Sequence, residues 1–203
     1  MIVRSPDLLL YLVHVVFWST FGCTLLIQRA LDRRAAVAPA NAPGAPVEET
    51  ARFSRAILAF HMLAFFVMYF GIGNAVLPGR VPFWFQGQRW VGAALILGGA
   101  ALMSWALVSF RSWRFRAKLD QGHELATGGP FRFVRHPIYL GLNLLALGSA
   151  IWTPTVIVWV ACGLMLLGSD LRARAEETLL ERAFGPSYRN YRARTRRFVP
   201  WIY

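Results

Sequence analysis

Long apolar stretches separated by shorter polar segments dominate the chain. A membrane-spanning helix needs ~20 consecutive, mostly apolar residues. Three of the stretches fit one such helix each, and the fourth is too long for a single helix. The stretches are residues 8–31, 56–77, 90–110 and 138–169. The pattern therefore predicts an all-α, polytopic membrane protein.

The fourth stretch is interrupted by Thr153-Pro154. Thr is a favoured N-cap residue, and Pro is tolerated at the first helical position. The sequence thus predicts a tight hairpin of two helices, 138–152 and 154–169, with Thr153 as the N-cap. Such helices measure only ~24 Å at ~1.5 Å per residue, so they just reach across a bilayer. The chain is expected to have five transmembrane helices.

The segments between the apolar stretches differ in character. The first is Ala/Pro-rich and predicts a flexible loop, and the second carries Phe83-Trp84-Phe85, typical of the aromatic belt at a membrane interface. The last two are basic, and the final one has a helical pattern. In chain order, the four segments are residues 35–50, 78–89, 111–137 and 170–203. We divide the chain into a three-span region, 1–110, and a second region, 111–203, that contains the basic connection, the predicted hairpin and the tail.

Composition and charge support this topology. Hydrophobic residues make up 56% of the chain and charged residues only 16%, against about 25% charged in soluble domains. If the N-terminus lies outside, the outer segments hold Arg4, Arg80 and Arg89. The inner segments then hold the other 19 of the 22 Lys and Arg residues (22 minus 3). The positive-inside rule therefore predicts a cytoplasmic C-terminal tail.

The placement of the basic residues also indicates which molecules they contact. The basic residues, which give a formal net charge of +12, lie against a membrane, so lipid headgroups are expected as partners rather than nucleic acid. Cys23 and Cys162 both lie in apolar stretches. No cluster of His, Cys and carboxylate is apparent, so no metal site is predicted.

One cytoplasmic stretch, residues 122–141, combines a turn with a helix start. Gly128-Gly129-Pro130 predicts the turn, and His136-Pro137 predicts the start of the helix. Free backbone N–H groups at such a start bind carboxylates or phosphates, and Arg135 adds positive charge. His136, Tyr139 and Asn143 share a helix face. The alternative is a basic segment that only contacts lipid headgroups.

A second cytoplasmic stretch, residues 176–200, begins with Glu176-Glu177. Adjacent residues on a helix point in different directions, so we expect one Glu to face the helix bundle and the other to be solvated. Tyr188 and Tyr191 share a face, and a Glu beside tyrosines suits a cationic ligand. The alternative is an amphipathic surface helix whose arginines, from Arg189 to Arg197, contact lipid headgroups.

Taken together, the two stretches resemble the isoprenylcysteine carboxyl methyltransferase family in its broad sense. In that broad sense the family includes bacterial members and is similar to phospholipid methyltransferases. The matching pieces are His123-x-Leu125, Gly129-Pro130-Phe131, Arg135-His136-Pro137-x-Tyr139-x-Gly141, Glu176-Glu177, Phe184-Gly185-x-x-Tyr188-x-x-Tyr191 and Pro200.

The resemblance implies an integral-membrane methyltransferase that uses S-adenosylmethionine (SAM) on the cytoplasmic side. Its acceptor would be lipophilic, reached from the bilayer, and would carry a carboxylate, thiol, phenol or amine. The implied catalytic residues are Arg135, Glu176 and Glu177, and Asn143 is expected at the acceptor. The implied cofactor-binding residues are His123, Leu125, Gly129, Phe131, Arg135, His136, Tyr139, Glu176, Tyr188 and Tyr191.

Eukaryotic members of the family carry more basic residues just before the Glu pair, whereas the first arginine here is Arg172. The acceptor therefore stays open. The Ala-, Arg- and Gly-rich composition favours a bacterial inner-membrane protein. Two other functions remain: an NADPH-dependent reductase of the sterol-reductase type, which carries a similar Arg-His-Pro-x-Tyr-x-Gly, and a non-enzymatic protein. In the latter, His14 and His61 could be axial haem ligands.

Overall fold

The computed structural model describes residues 7–35, 54–109, 125–200 and 202–203. Within these ranges the regular structure is entirely helical, which confirms the predicted all-α class. Six α-helices and one 3-10 turn follow one another along the described ranges. Their bounds are α1 (Leu8–Ala35), α2 (Ser54–Val76), α3 (Gln88–Ser109), the 3-10 turn (Gly129–Arg132), α4 (Pro137–Trp152), α5 (Val156–Phe184) and α6 (Pro186–Arg194).

Four of the helices, α1, α2, α3 and α5, are long and apolar enough to cross a membrane. The fifth apolar helix, α4, has 16 residues and measures ~24 Å at ~1.5 Å per residue. The outer surface is apolar as well, since α2 exposes Met62, Leu63, Phe66 and Phe70. Water-soluble monomers rarely expose apolar patches of this kind, so this surface suits lipid.

The turn between α4 and α5 differs from the predicted hairpin. The N-cap of α5 is Thr155, whose hydroxyl accepts a hydrogen bond from the Val158 N–H at 3.4 Å. Thr153 instead ends α4, because its N–H bonds to the Ser149 carbonyl at 2.8 Å. Pro154 lies in the turn between them. The predicted start of α5 was therefore wrong by two residues.

Helix α5 also ends later than predicted. It continues past residue 169 to Phe184, because no helix-breaking residue occurs before Gly185, which adopts a positive φ of 49°, and Pro186. Its 29 residues extend ~43 Å. The Glu pair is therefore carried on the same rigid helix as the apolar stretch, rather than on a separate tail.

Helices α3 and α4 pack with their backbones in close contact. A Cβ atom built on Gly99 would lie 2.6 Å from the Gly141 carbonyl oxygen, and one built on Gly148 would lie 2.6 Å from that of Gly92. Small residues permit this approach in membrane helices. The close contact fixes α4, whose N-terminus carries several of the predicted site residues.

Polar contacts hold α1 against α4. The His14 ring lies 2.9 Å from the Leu10 carbonyl oxygen through Nδ1 and 3.0 Å from the Ser149 hydroxyl through Nε2. At the helix ends, Trp152 Nε1 donates to the Asp7 carboxylate at 3.0 Å. Both His14 nitrogens are thus occupied, which disfavours the reading of His14 as a haem ligand.

The C-terminal segment returns to the start of α4. The Arg135 N–H donates to the Arg196 carbonyl at 2.7 Å, and the His136 N–H donates to that of Arg197 at 3.2 Å. Val134 and Arg196 form an isolated parallel bridge. The tail is therefore attached by backbone hydrogen bonds beside the predicted site.

Candidate active site

The N-terminal end of α4 organises the candidate site. His136 is the N-cap residue and Pro137 occupies the first turn, as the sequence predicts. The His136 ring does not cap the helix but stacks on the Tyr139 ring, at 5.6 Å between centroids and 11° between planes. The imidazole is thereby held facing α5.

Both carboxylates of the Glu pair turn toward this imidazole. Glu176 Oε2 lies 3.7 Å from His136 Nδ1, and Glu177 Oε1 lies 3.3 Å from His136 Nε2. The expectation that one Glu would be solvated was therefore wrong. Adjacent residues do leave α5 in different directions, but His136 lies between the two directions and contacts one carboxylate through each ring nitrogen.

Glu177 is enclosed by positive charge. Its carboxylate accepts from Arg135 Nε at 2.9 Å and from Arg197 Nε and Nη2 at 3.1 and 2.8 Å. Only 5% of the Glu177 side chain is exposed, against 9% for Arg135 and 11% for Arg197. Burying such charges is tolerable only when each is paired and hydrogen-bonded. The Glu177 carboxylate therefore serves to hold the two arginine side chains together.

Arg197 was not among the predicted site residues. The expectation that it would contact lipid headgroups was wrong, because its guanidinium points inward and also bonds to Asp170 Oδ1 at 2.8 Å and the Tyr203 hydroxyl at 2.6 Å. Its hydrogen bonds to Glu177 raise the pKa of the Arg197 guanidinium above its ordinary value. Apolar Phe198, next to it in a run of arginines, was the only sequence signal for this inward turn.

Arg135 joins the tail to α5. Beyond Glu177, its Nη1 donates to the backbone carbonyls of Arg192, at 3.3 Å, and of Thr195. These carbonyls lie at the end of α6 and just after it. The guanidinium thus binds the helix that follows α5 as well as the buried carboxylate.

Glu176 has a more open setting than Glu177, with 22% of its side chain exposed. The Tyr139 hydroxyl donates to it, and Arg172 Nε lies 3.6 Å from its Oε1. The Arg172 guanidinium also lies 5.3 Å above the centre of the Tyr139 ring. Of the two carboxylates, Glu176 is the one that a cationic ligand could approach.

The two tail tyrosines have different partners. The Tyr191 hydroxyl donates to the Phe131 carbonyl at 2.7 Å, which ties α6 to the 3-10 turn. Tyr188 is fully buried, and its hydroxyl has no hydrogen-bond partner in the described part of the chain. Burial raises the pKa of both phenols, so both are neutral near pH 7.

The remaining predicted residues surround this cluster or lie apart from it. Asn143 lies one helical turn beyond Tyr139 on α4 and is buried, and its Oδ1 accepts a hydrogen bond from the Ser169 hydroxyl at 2.7 Å. Gly129 has a positive φ of 57°, and a Cβ there would collide with Ser109. Leu125 is partly buried, and His123 lies outside the described residues. The structure groups Arg135, His136, Tyr139, Glu176 and Glu177. Tyr188 and Tyr191 lie on α6, and Phe131 lies in the 3-10 turn that Tyr191 contacts.

Known proteins share this sequence region. The sequence model of the family described as phospholipid methyltransferase matches residues 87–187. A probable protein-S-isoprenylcysteine O-methyltransferase from Oryza sativa subsp. indica is 29% identical over 142 residues, which cover 68% of this chain and 73% of the relative. These matches support an isoprenylcysteine methyltransferase-like family. The resemblance seen in the sequence is thus confirmed, and the family supports a membrane methyltransferase.

Two further relatives of this methyltransferase-like chain show where the similarity lies. The protein-S-isoprenylcysteine O-methyltransferase of Schizosaccharomyces pombe is 32% identical over 87 residues, which cover 42% of this chain and 37% of the relative. The uncharacterized protein YpbQ of Bacillus subtilis is 28% identical over 130 residues, covering 61% and 71% respectively. The family match extends from the start of α3 into α6 and so includes His136, Glu176 and Glu177.

Proposed function

We propose that the protein transfers a methyl group from SAM to a lipophilic acceptor taken from the bilayer. The observation that carries the proposal is the pair Glu176 and Glu177, which contact the two nitrogens of His136 at the start of α4. The tail closes over this group through Arg197. The family assignment favours methyl transfer over hydride transfer for such a site.

The residues present fit SAM chemically. SAM carries a sulfonium, an ammonium and a carboxylate, and the partly exposed Glu176 offers a carboxylate to the two cationic groups. The Tyr188 hydroxyl is buried without a hydrogen-bond partner among the described residues, so it offers an unused donor. We assign the adenosyl part to His123, Leu125 and Gly129, and the methionine part to Arg135, His136, Tyr139 and Glu176.

When bound, SAM would supply a methyl group that is already activated for displacement. The protein's part is then to align the reactants and to exclude water. Glu177 and Arg135 serve this by fixing the tail, since their contacts join α5, α6 and residues 195–197. A carboxylate or thiolate acceptor needs no general base, whereas a phenol or amine could use Glu176 or His136.

The site is proposed to lie on the cytoplasmic side. In the arrangement with the N-terminus outside, the basic connection and the tail face the cytoplasm. Membrane lipids would contact the exposed apolar faces of the helices. The acceptor would reach the site laterally, between helices, because a lipophilic molecule partitions into the bilayer.

Calorimetric titration of the detergent-purified protein with SAM, S-adenosylhomocysteine and NADPH tests the proposal. We expect saturable binding of the first two and none of NADPH. Glu176→Gln should lower SAM affinity about tenfold or more, because it removes a charge that pairs with a cation. Glu181→Gln, on the same helix but paired with Arg192 at the surface, should bind SAM normally. Absence of SAM binding by a folded sample would overturn the proposal.

A further inference from the structure

Two residues to which the proposed function gives no role, Asp170 and Tyr203, hold the arginine that attaches the tail. Arg197 Nη1 donates to Asp170 Oδ1 at 2.8 Å and to the Tyr203 hydroxyl at 2.6 Å. That hydroxyl donates in turn to Asp170 Oδ1 at 2.8 Å. The three side chains therefore form a closed triangle of hydrogen bonds, and Arg197 is the member that also bonds to Glu177.

Helix α5 presents two carboxylates to Arg197. Asp170 and Glu177 lie on one face of the helix, because seven residues make about two turns. The guanidinium lies along this face, with Nε and Nη2 on Glu177 and Nη1 on Asp170. Glu177 is shared with Arg135 and His136, whereas Asp170 is not. A change at Asp170 therefore acts on the tail and leaves the contact between Glu177 and Arg135 in place.

A chain reversal brings Tyr203 back beside Arg197. The N–H groups of Phe198 and Val199 donate to the Tyr203 backbone oxygen at 2.7 and 2.6 Å. The centre of the Tyr203 ring lies 5.2 Å from Arg197 Cζ and 6.4 Å from the centre of the Phe198 ring. Phe198 is buried, and its ring centre lies 6.1 Å from that of His136. The reversal thus connects Tyr203 with the imidazole of the candidate site.

These outer contacts are open to water, unlike the inner ones. Tyr203 is 45% exposed and the Asp170 side chain 22%, against 5% for Glu177. Arg174, which also bonds to Asp170 and to the Tyr203 hydroxyl, has a side chain that is 59% exposed. Exposed ion pairs contribute little to folding stability. Loss of the outer contacts should therefore open the tail locally, without unfolding the helices.

We propose that Asp170 and Tyr203 are positioning residues, which hold Arg197 on α5 and so keep the tail attached to the start of α4, over the bound SAM. The part that concerns SAM rests on the proposed function, whereas the attachment of the tail does not. Both residues act through Arg197. If the tail encloses SAM, a tail that opens more often releases SAM faster.

Amide hydrogen exchange of the detergent-purified full chain, followed by nuclear magnetic resonance, tests the attachment without SAM. The Arg135 and His136 amides report it, because they bond to carbonyls of the tail. Tyr203→Phe keeps the ring and removes only the hydroxyl. We expect it to speed exchange at both amides about three- to tenfold, the value of one hydrogen bond. The Leu140 amide, which bonds within α4 to the His136 carbonyl, should exchange as before.

Two further variants complete this test. Asp170→Asn removes the charge that pairs with Arg197 and should also speed exchange at the two amides. The matched control is Glu181→Gln, which removes an exposed pair between α5 and α6 and should leave them unchanged. Because Asp170 and Tyr203 act through one side chain, the double variant should show less than the product of the two single effects.

Three results would overturn the attachment. They are unchanged exchange in Tyr203→Phe and Asp170→Asn, an equal rise at the Leu140 amide, and a double variant whose effect equals the product of the single ones. The second would mean general destabilisation, and the third would mean that Asp170 and Tyr203 act independently.

The dissociation rate of isotope-labelled SAM, measured after adding excess unlabelled SAM, separates the two proposals. Tyr203→Phe should release SAM about three- to tenfold faster, and Glu181→Gln at the unaltered rate. If SAM binds but leaves Tyr203→Phe at the unaltered rate, the positioning role fails and the proposed function stands. If the amides respond as expected and SAM does not bind to the unaltered protein, the attachment stands and the methyltransferase proposal fails.

Discussion

At the scale of single residues, one carboxylate connects three segments of the chain. Glu177 on α5 meets Arg135 before α4 and Arg197 in the tail, and all three side chains are largely buried. The group carries one negative charge against two positive ones. Its stability therefore depends on Glu177 more than on either arginine.

We predict that Glu177→Gln lowers the free energy of unfolding by about 3–5 kcal/mol, because it removes the carboxylate that pairs with the buried Arg135 guanidinium and leaves Arg197 paired with Asp170 alone among the described residues. Denaturant unfolding of the purified protein measures the loss. The matched control is Glu181→Gln, one turn further along α5, whose partly exposed pair with Arg192 should contribute at most about 1 kcal/mol. Equal losses in the two variants would refute the central role of Glu177.

The two tail tyrosines make a second matched pair. Tyr191→Phe removes the hydrogen bond to the Phe131 carbonyl and should cost about 1 kcal/mol of folding free energy. Tyr188→Phe removes a hydroxyl that has no hydrogen-bond partner in the part of the chain that the structure describes, so it should leave stability unchanged. It should instead lower SAM affinity, measured by calorimetry, about tenfold. Unchanged SAM affinity in Tyr188→Phe would remove this residue from the proposed site.

At the scale of helices, the position of α4 depends on its contact with α3. The glycines on both sides leave space for carbonyl oxygens rather than for side chains. The same helix bonds to α5 through Asn143 and Ser169, and its packing on α3 adds to the contacts that position its N-terminus. The contact therefore supports the site from a distance.

Adjacent glycines of α3 allow this contact to be tested. Gly99→Ala places a Cβ 2.6 Å from the Gly141 carbonyl oxygen, whereas a Cβ on Gly98 meets nothing within 4 Å. Gly99→Ala should destabilise the protein by about 1–3 kcal/mol through overpacking. Gly98→Ala should be neutral or stabilise it by up to about 1 kcal/mol. Thermal unfolding in one detergent compares them, and equal melting temperatures would contradict the close packing.

At the scale of the whole molecule, the charge distribution predicts one orientation in the membrane. The segment between α2 and α3 carries an exposed aromatic group, Phe83, Trp84 and Phe85. The opposite ends of the helices meet the arginine-rich tail. This asymmetry predicts that the Glu pair and the tail face the cytoplasm.

Cysteine labelling of intact bacterial cells measures this orientation. In a background of Cys23→Ser and Cys162→Ala, a membrane-impermeant maleimide should label Gln86→Cys and not Asn190→Cys. Both positions are exposed on the protein, so a difference reports the side of the membrane. Both should react after permeabilisation. Labelling of Asn190→Cys alone in intact cells would reverse the proposed orientation.

The sequence predicted those parts of the structure that depend on local chemistry. Apolar length located the long helices, and His136-Pro137 located the start of α4. Thr153 and Thr155 both suit an N-cap, and only the course of the turn chooses Thr155. Arg197 could not be distinguished from its arginine neighbours, because its partner Glu177 lies 20 residues away and is reached only through the return of the tail.

The bridge between Val134 and Arg196 has a consequence for how the protein is made. A ribosome produces residue 196 only after every apolar helix has been synthesised, and folding during synthesis begins at the N-terminus. Until then Arg135 and Glu177 are present, but Arg197 and the carbonyls that complete the group are not. The site in the newly inserted chain is therefore incomplete until synthesis has passed α5 and α6.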